Sequence, residues 1–425
     1  MKLVTYSNSD MPAIGALLED SICPFTNDSS LPNEMKAFLE GGEVNMNKAT
    51  DLLEKAENLI PVDSVTLLSP ILNPQKILAI GLNYADHVKE SGMETPKIPM
   101  VFNKQSSSVT GHNGVIHLPR ASEALDYEAE MAFVIGKQCR HVSKDEAASV
   151  IAGITICNDV SVRDWQLAVP TFTMGKSFDT HCPLGPCLVT MDEIGDPHNL
   201  DIKLFLNGEE KQNSNTKELV FNCYDLIEHL STAFTLMPGD VVPTGTPGGV
   251  LGVEVMAGRA SWLQEGDEIK IELEKVGTLS NKVVKEPDST KFIAESLQLF
   301  FLRHAMSDWG HPALNDVDRP LSNRGLRDAP LMGKKLHHYF PDNLKVISSP
   351  ARRTKETLDL FFSDYDQNFS IEFDDALYHG SLINYLEHVI NNDSDEAILF
   401  IGHNPGISEC ASQFSPEPIF FPTCG

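Results

Sequence analysis

The sequence predicts two domains in one chain, a mixed α+β domain followed by a three-layer α/β domain. Three observations carry this reading. A chain of 425 residues is long for a single domain. From Leu204 to Val284, short strands alternate with turns such as Leu206-Asn207-Gly208-Glu209 and Pro238-Gly239-Asp240. Beyond residue 297 the pattern changes to apolar strands separated by helical stretches, the signature of a parallel α/β sheet.

Composition bounds the function classes. With 41% hydrophobic and 22% charged residues, the chain has ample material for globular cores. A formal charge of −27 argues against non-specific binding to nucleic acid or an anionic membrane. No segment approaches the roughly 18 uninterrupted apolar residues of a membrane span. Met1-Lys2-Leu3-Val4-Thr5-Tyr6 is a strand-like start without the apolar core of a signal peptide, so a cytoplasmic location is expected. Cys182 and Cys187 flank Pro183-Leu184-Gly185-Pro186, but no second pair completes a zinc site. Buried, reduced thiols are expected instead.

Taken in order, residues 1–70 read as an α+β lead-in. A helix is expected from Thr50-Asp51, with Leu52, Leu53, Ala56, Leu59 and Ile60 on one face. In the main domain, residues 71–287, Ile77-Leu78-Ala79-Ile80-Gly81 is a buried strand that turns into a helix at Asn83-Tyr84-Ala85-Asp86. On that helix His87 and Glu90 are three apart and share a face. A carboxylate beside an imidazole is a general-base pair, although an isolated His-x-x-Glu also fits a surface ion pair. Gly92, Pro96 and Pro99 loosen the segment that follows.

Asp126 to Gly136 then reads as a strand on which Glu128 and Glu130 project side by side, about 7 Å apart. Asp159 ends the apolar run from Ile151 to Cys157 and offers a third carboxylate. Three carboxylates suit a hard divalent cation, Mg²⁺, Mn²⁺ or Ca²⁺, whereas Glu-x-Glu alone also fits a solvated strand face. Arg163 and Gln166 lie three apart on the first turn of a helix, where Arg suits a substrate carboxylate and Gln is a neutral donor. Thr244-Gly245-Thr246-Pro247-Gly248-Gly249 is a loop whose backbone can approach a ligand closely. A dinucleotide-binding GxGxxG is absent, so no nicotinamide is expected.

Residues 288–296 read as a linker to the domain spanning 297–425. There, three apolar strands lead into basic residues: Leu299–Leu302 into Arg303-His304, Val346-Ile347 into Ser348 to Arg353, and Ile398–Ile401 into Gly402-His403. Ligands of parallel sheets bind beyond the carboxyl ends of the strands. That placement gathers Arg303, His304, Arg353 and His403 in one pocket, and two arginines with two histidines describe a phosphate site.

Five ordered motifs give the first domain a family likeness. They are Gly81-Leu82-Asn83-Tyr84-Ala85-Asp86-His87, Glu128-Ala129-Glu130, Asp159 to Gln166, Gly175-Lys176-Ser177-Phe178-Asp179-Thr180, and Thr244-Gly245-Thr246-Pro247. Together they resemble the fumarylacetoacetate hydrolase family in its domain-containing-protein-2 branch, over about residues 1–287. The resemblance implies a mixed β-roll fold, a homodimer, and a metal held by Glu128, Glu130 and Asp159. It implies a catalytic dyad of His87 and Glu90 on a lid, Lys176 facing the metal, and substrate contacts from Tyr84, Arg163, Gln166 and Thr246. The stretch Leu167 to Met174 departs from the branch: it is about two residues shorter and lacks its basic residues.

The second domain, with Asp318-Arg319-Pro320-Leu321-Ser322 and Gly325 added to its basic set, resembles the histidine phosphatase superfamily in its small SixA-like branch. The resemblance implies a phosphohistidine at His304, a protonated His403 that offsets phosphoryl charge, and a phosphohistidine protein as partner. No Glu follows Ala376-Leu377-Tyr378, where larger relatives carry a general acid. The family would also continue past Thr423-Cys424-Gly425, so a truncated domain is expected and a gene-model origin of the fusion stays open.

The resemblance implies hydrolytic C–C cleavage of 3-acylpyruvate-type β-diketo acids. Oxaloacetate decarboxylation and keto-diacid isomerisation are rivals on the same metal site. Two further alternatives are a phosphohistidine phosphatase with a keto-acid-sensing N-terminal domain, and a binding module without turnover.

Overall fold

The computed structural model describes all residues except 9–11, 57, 291–296, 311–312, 342–343, 366–369, 393–396, 416–418 and 424–425. Two compact units divide between Thr290 and Lys291. Most of the expected linker, and the last two residues of the chain, lie outside the described set.

In the first unit, the principal sheet runs from Ile60–Pro61 through Ser21–Pro24, Pro12–Leu17, Lys2–Ser7, Cys182–Thr190, Ile151–Asn158, Ala129–Ile135, Val241–Pro243 and Ile77–Gly81 to Met100–Lys104. Residues near the N-terminus thus extend the same sheet that carries the site. Its pairs are antiparallel along this path except Val241–Pro243 against Ile77–Gly81. Alternation sets the two faces of its central strand. Met131, Phe133 and Ile135 enter one apolar cluster with Tyr127, Ile156 and Leu226. Ala132 and Val134 enter another with Cys157, Cys182 and Leu184. Glu128 and Glu130 have the parity of Ala132 and Val134. A second sheet orders Glu209–Asn215, Asp201–Leu206, Glu268–Leu273, Gly277–Lys285 and Val115–Leu118.

Three sequence expectations need correction here. The helix placed at Thr50 runs from Gly42 to Lys55 and stops because Ala56 adopts a left-handed conformation, its N–H bonding Leu52 O. Ile60 lies in a short strand rather than on that helix. The strand from Asp126 to Gly136 is broken: Leu125–Asp126 pairs with Ser161–Val162, and Ala129–Ile135 pairs with Ile151–Asn158. The break follows from Asp126, whose carboxylate turns away to accept from Leu251 N (2.9 Å) and Gly252 N (2.8 Å). Within the turn-rich stretch, Cys223–Ala233 is a helix, closed by a capping box between Asn222 and Asp225.

The second unit has a four-stranded parallel sheet ordered Leu299–Arg303, Ala397–Gly402, Leu344–Ser348, Ser370–Phe373. Leu302, Val346, Leu399 and Ile401 pack on one face with Leu358 and Phe361 of the helix Arg352–Phe361. Ile347, Ile398 and Phe400 pack on the other with Tyr385 and Ile407. Helices on both faces make the expected three layers. Ser370–Phe373 was not anticipated, because an exposed edge strand has no apolar run to betray it.

Candidate functional site

The acidic cluster of the first unit is assembled by strand register. Glu130 pairs with Cys157 and Ala129 with Asn158, so Asp159 arrives beside Glu128 at the end of the ladder. Asp159 N donates to Glu128 O at 2.9 Å, and Glu128 N to Asn158 Oδ1 at 3.0 Å. Glu128, Glu130 and Asp159 each present an oxygen within 4.8 Å of the others, and all three are buried. Converging buried carboxylates fit a hard divalent cation by charge and by donor type.

Basic groups from elsewhere in the chain hold these acids. Lys176 Nζ donates to Glu128 Oε2 at 2.7 Å and to Asp159 Oδ2 at 2.8 Å. Lys104 Nζ, fully buried, donates to Asp159 Oδ1 at 2.6 Å and also bonds Lys176 O. Arg163 pairs with Asp126 Oδ2 through Nε (2.7 Å) and with Glu128 Oε1 through NH1 (2.8 Å). Lys104 and Asp126 were not singled out from the sequence. The one available signal for Lys104 was a charge ending the otherwise strand-like Met100-Val101-Phe102-Asn103.

The electrostatics follow. Burial raises the Glu128 carboxyl, but Lys176 and Arg163 outweigh it and hold the group at about 2. Glu130 is pushed well above the usual carboxylate range by burial and by the charges of Asp159 and Glu128. Gly245 N donates to Glu130 Oε2 at 2.7 Å. Gly245 can do so because φ is +101° there and a Cβ would stand 2.8 Å from Asn83 Cβ. Burial lowers Lys104, yet Asp159 more than compensates and raises it.

Above the acids lies a cavity of about 320 Å³, lined by His87, Glu128, Arg163, Gln166, Lys176 and Thr246. Its other walls are apolar, among them Met93, Met100, Phe102, Leu167, Phe172, Val253 and Met256. His87 stands on the helix Ala85–Ser91, and its Nδ1 lies 3.3 Å from Glu90 Oε2. Glu90 in turn accepts from Gly249 N at 3.0 and 3.1 Å.

Two expected contacts take a different form. Tyr84 does not line the cavity. It is fully buried, bridges to Leu219, and its hydroxyl has no partner among the described residues. Burial, then the charge of Glu130, pushes its phenol well up. Thr246 Oγ1 donates to Ala129 O at 2.9 Å and accepts from Gln212 Nε2 at 2.9 Å, so donation to a substrate carboxylate requires exchanging that bond. A larger cavity of about 610 Å³ on the five-stranded sheet, walled by Phe205, Lys270 and Lys282 among others, holds no comparable cluster.

In the second unit, the sheet's carboxyl edge brings His304 and His403 to a ring separation of 5.0 Å. Ala305 O can only accept, so the 2.7 Å contact puts the proton on His304 Nδ1 and leaves Nε2 a free lone pair. Arg353 NH2 lies 3.3 Å from His403 Nδ1, and His403 Nε2 lies 2.8 Å from Ser349 Oγ. His304 is lowered to about 4 by burial and then by Arg353, Arg303 and Arg319. His403 is lowered to about 3 by burial and by His304 and Arg353, before any phosphoryl charge is present to raise it.

Arg303 NH1 donates to Phe421 O at 2.9 Å, tying it to the chain's last stretch. Arg319, known from the sequence as a motif member without a role, is buried and stacks 3.7 Å over Trp309.

A mixed sheet ending in a buried carboxylate cluster is the class to which the first unit conforms, and a model described as fumarylacetoacetate (FAA) hydrolase C-terminal matches residues 76–284. The chain belongs to the fumarylacetoacetate hydrolase family. It is 43% identical over 291 residues to the mitochondrial oxaloacetate tautomerase fahd2 of Xenopus laevis, covering 67% of this chain and 90% of that one. Among solved structures, fumarylacetoacetate hydrolase from Exiguobacterium antarcticum superposes with a TM-score of 0.60 at 31% identity, covering 67% of this chain and all of that chain. Maleylpyruvate hydrolase from Sphingobium sp. SYK-6, in complex with manganese(II) and pyruvate, gives 0.57 at 28%, covering 68% and all of that chain. A model of the histidine phosphatase superfamily (branch 1) matches residues 299–378, so the chain also carries a domain of that superfamily. Among the described residues, no helix is long and apolar enough to cross a membrane.

Proposed function

We propose that the first unit moves a proton at C3 of a 2-keto acid, interconverting keto and enol forms. The observation that carries this is His87: among the titratable groups lining the cavity, Glu128, Arg163 and Lys176 are paired with one another or with neighbouring acids. That leaves the Glu90-oriented imidazole as the base. A single base suffices for tautomerisation. The tautomerase activity of the Xenopus relative supports the same chemistry. Glu128, Glu130 and Asp159 would hold a divalent cation, Mg²⁺, Mn²⁺ or Ca²⁺, which when bound supplies Lewis-acid polarisation of the keto acid's oxygens. Lys176 adds positive charge where the C2 oxygen becomes anionic, Arg163 and Gln166 orient the substrate, and His87 removes or returns the C3 proton. The test is deuterium exchange at C3 of oxaloacetate in the presence of Mg²⁺ or Mn²⁺, followed by NMR. Acceleration that vanishes in His87→Ala is expected, and an uncatalysed rate with either metal would overturn the reading.

A second reading, hydrolytic C–C cleavage of 3-acylpyruvates, is favoured by the apolar wall of Met93, Met100, Phe102, Leu167, Phe172, Val253 and Met256, which suits an acyl chain. In it His87 activates water rather than taking the C3 proton. Pyruvate release from an acylpyruvate separates the two. Oxaloacetate decarboxylation would show in the same assay as pyruvate formed from oxaloacetate.

For the second unit we read a phosphohistidine at His304, on a phosphohistidine protein as substrate. The Nε2 lone pair, with the charges of Arg353, Arg303 and Arg319 acting on His304, supports it. A neutral imidazole attacks phosphorus, and Arg303, Arg353 and His403 would surround the transferring group. Acid-labile label trapped on wild type and lost in His304→Ala is expected; equal labelling of the variant would end it.

A further inference from the structure

The arginines of the second unit already grip an anion, and it belongs to the chain. Arg353 is 2% exposed. Its NH1 donates to Asp316 O at 2.7 Å and its NH2 to Asp316 Oδ2 at 3.0 Å. That NH1–NH2 edge is the one a bidentate hold on two phosphate oxygens would use. Tyr378 Oη donates to the same Oδ2 at 2.8 Å, and Arg319 NH2 bonds Oδ1. One carboxylate therefore satisfies donors from three separate segments, as a phosphoryl group would. Among the described residues, Arg353 Nε and both Nε and NH1 of Arg319 have no protein partner, although all are buried. Buried guanidinium donors without acceptors cost free energy, which a ligand with more oxygens than a carboxylate would recover. Asp316 itself is about 41% exposed at its side chain, so it has room to leave.

We propose that Asp316 is a built-in competitor for the phosphoryl pocket, mimicking the anion until a phosphoryl dianion displaces it from Arg353, Arg319 and Tyr378. This rests on reading the pocket as a phosphate site. The displacement selects by charge and by oxygen count. A monoanionic carboxylate gains nothing over Asp316, whereas a dianion with three free oxygens meets the donors that Asp316 leaves unused. Asp316 thus acts through the arginines as a positioning residue and takes no part in bond making.

The experiment titrates inorganic phosphate into the full-length chain by calorimetry, for wild type, Asp316→Asn and Arg353→Ala. The isosteric Asn keeps the shape and removes the competing charge. Phosphate affinity is expected to rise about tenfold in Asp316→Asn, the size of one charge-assisted hydrogen bond, a gain that structural damage would not produce. It is expected to disappear in Arg353→Ala. Unchanged or weaker binding by Asp316→Asn, with loss in Arg353→Ala, would overturn the competitor role and leave the phosphate pocket standing. Equal binding by Arg353→Ala and wild type would overturn both.

Discussion

The two sites are electrostatic inverses, and their difference shows how a chain holds a charged pocket together. In the first unit, four carboxylates, Asp126, Glu128, Glu130 and Asp159, meet three cations, Lys104, Lys176 and Arg163. In the second, the charges of Arg303, Arg319 and Arg353 act on His304, and Arg319 and Arg353 meet one carboxylate, Asp316. Each pocket is compensated, and neither completely. The excess of acid over base in the first pocket, carried by the raised Glu130 carboxyl, sits where a cation is proposed, and the excess positive charge of the second sits where a phosphoryl group is. A buried charge without a counter-charge costs several kcal/mol, so the chain supplies most of the neutralisation and the ligand the rest.

Stripping divalent cations is the sharpest way to separate the two. EDTA should bring C3 exchange in the first unit to the uncatalysed rate and leave phosphoenzyme labelling at His304 unaltered. A loss of both would show that the sites do not work independently. Next in size, His87→Ala should reduce exchange by about 10²–10⁴, the usual general-base contribution, with Mn²⁺ affinity by calorimetry unchanged. A parallel loss of Mn²⁺ binding would place His87 among the ligands rather than beside them.

Lys104→Met tests compensation directly. Breaking a buried pair costs about 3–5 kcal/mol, so the urea midpoint of the first unit should fall accordingly. Added Mg²⁺ should recover part of that, since Asp159 then gains a second positive neighbour beside Lys176. A midpoint indifferent to Lys104 would mean Lys176 alone neutralises the cluster.

The smallest effect is pH dependence in the second unit. His304 and His403 have folded values of about 4 and about 3, below the ordinary imidazole value of 6.5. Below pH 6.5 the unfolded chain therefore binds protons that the folded one refuses, and stability falls with pH. The slope is up to about 1.4 kcal/mol per pH unit for each imidazole, between 6.5 and their folded values. Denaturation series at pH 7, 6 and 5 read this. A stability independent of pH in that range would show His304 and His403 to be solvated.

The sequence made legible whatever local pattern encodes. Alternation placed Glu128 and Glu130 on one face, helical spacing joined His87 to Glu90, and strand ends delivered His304 and His403. What it hid were the counter-charges. Lys104 meets Asp159 across 55 residues and Arg163 meets Asp126 across 37, and no spacing rule reaches that far. Asp126 stands two residues before Glu128 in plain view, yet its role appears only once the strand breaks and its carboxylate caps Leu251 and Gly252. Tyr84 shows the converse: membership of a motif did not put its side chain in the cavity.

The hydrogen bonds from Gly249 to Glu90 have one more implication. Gly249 sits at φ +99°, and a Cβ there would stand 2.1 Å from Lys211 O, so the loop presents its N–H to Glu90 from a backbone position that favours glycine. The same Glu90 carboxylate orients His87. If the helix Ala85–Ser91 swings outward far enough to break the Gly249 contact, His87 and Glu90 travel together, and Glu90 loses the backbone donor that fixes it. On the reading of His87 as the base, access and reactivity would then be linked, because an opening that admits bulk water would also free the carboxylate that orients the imidazole.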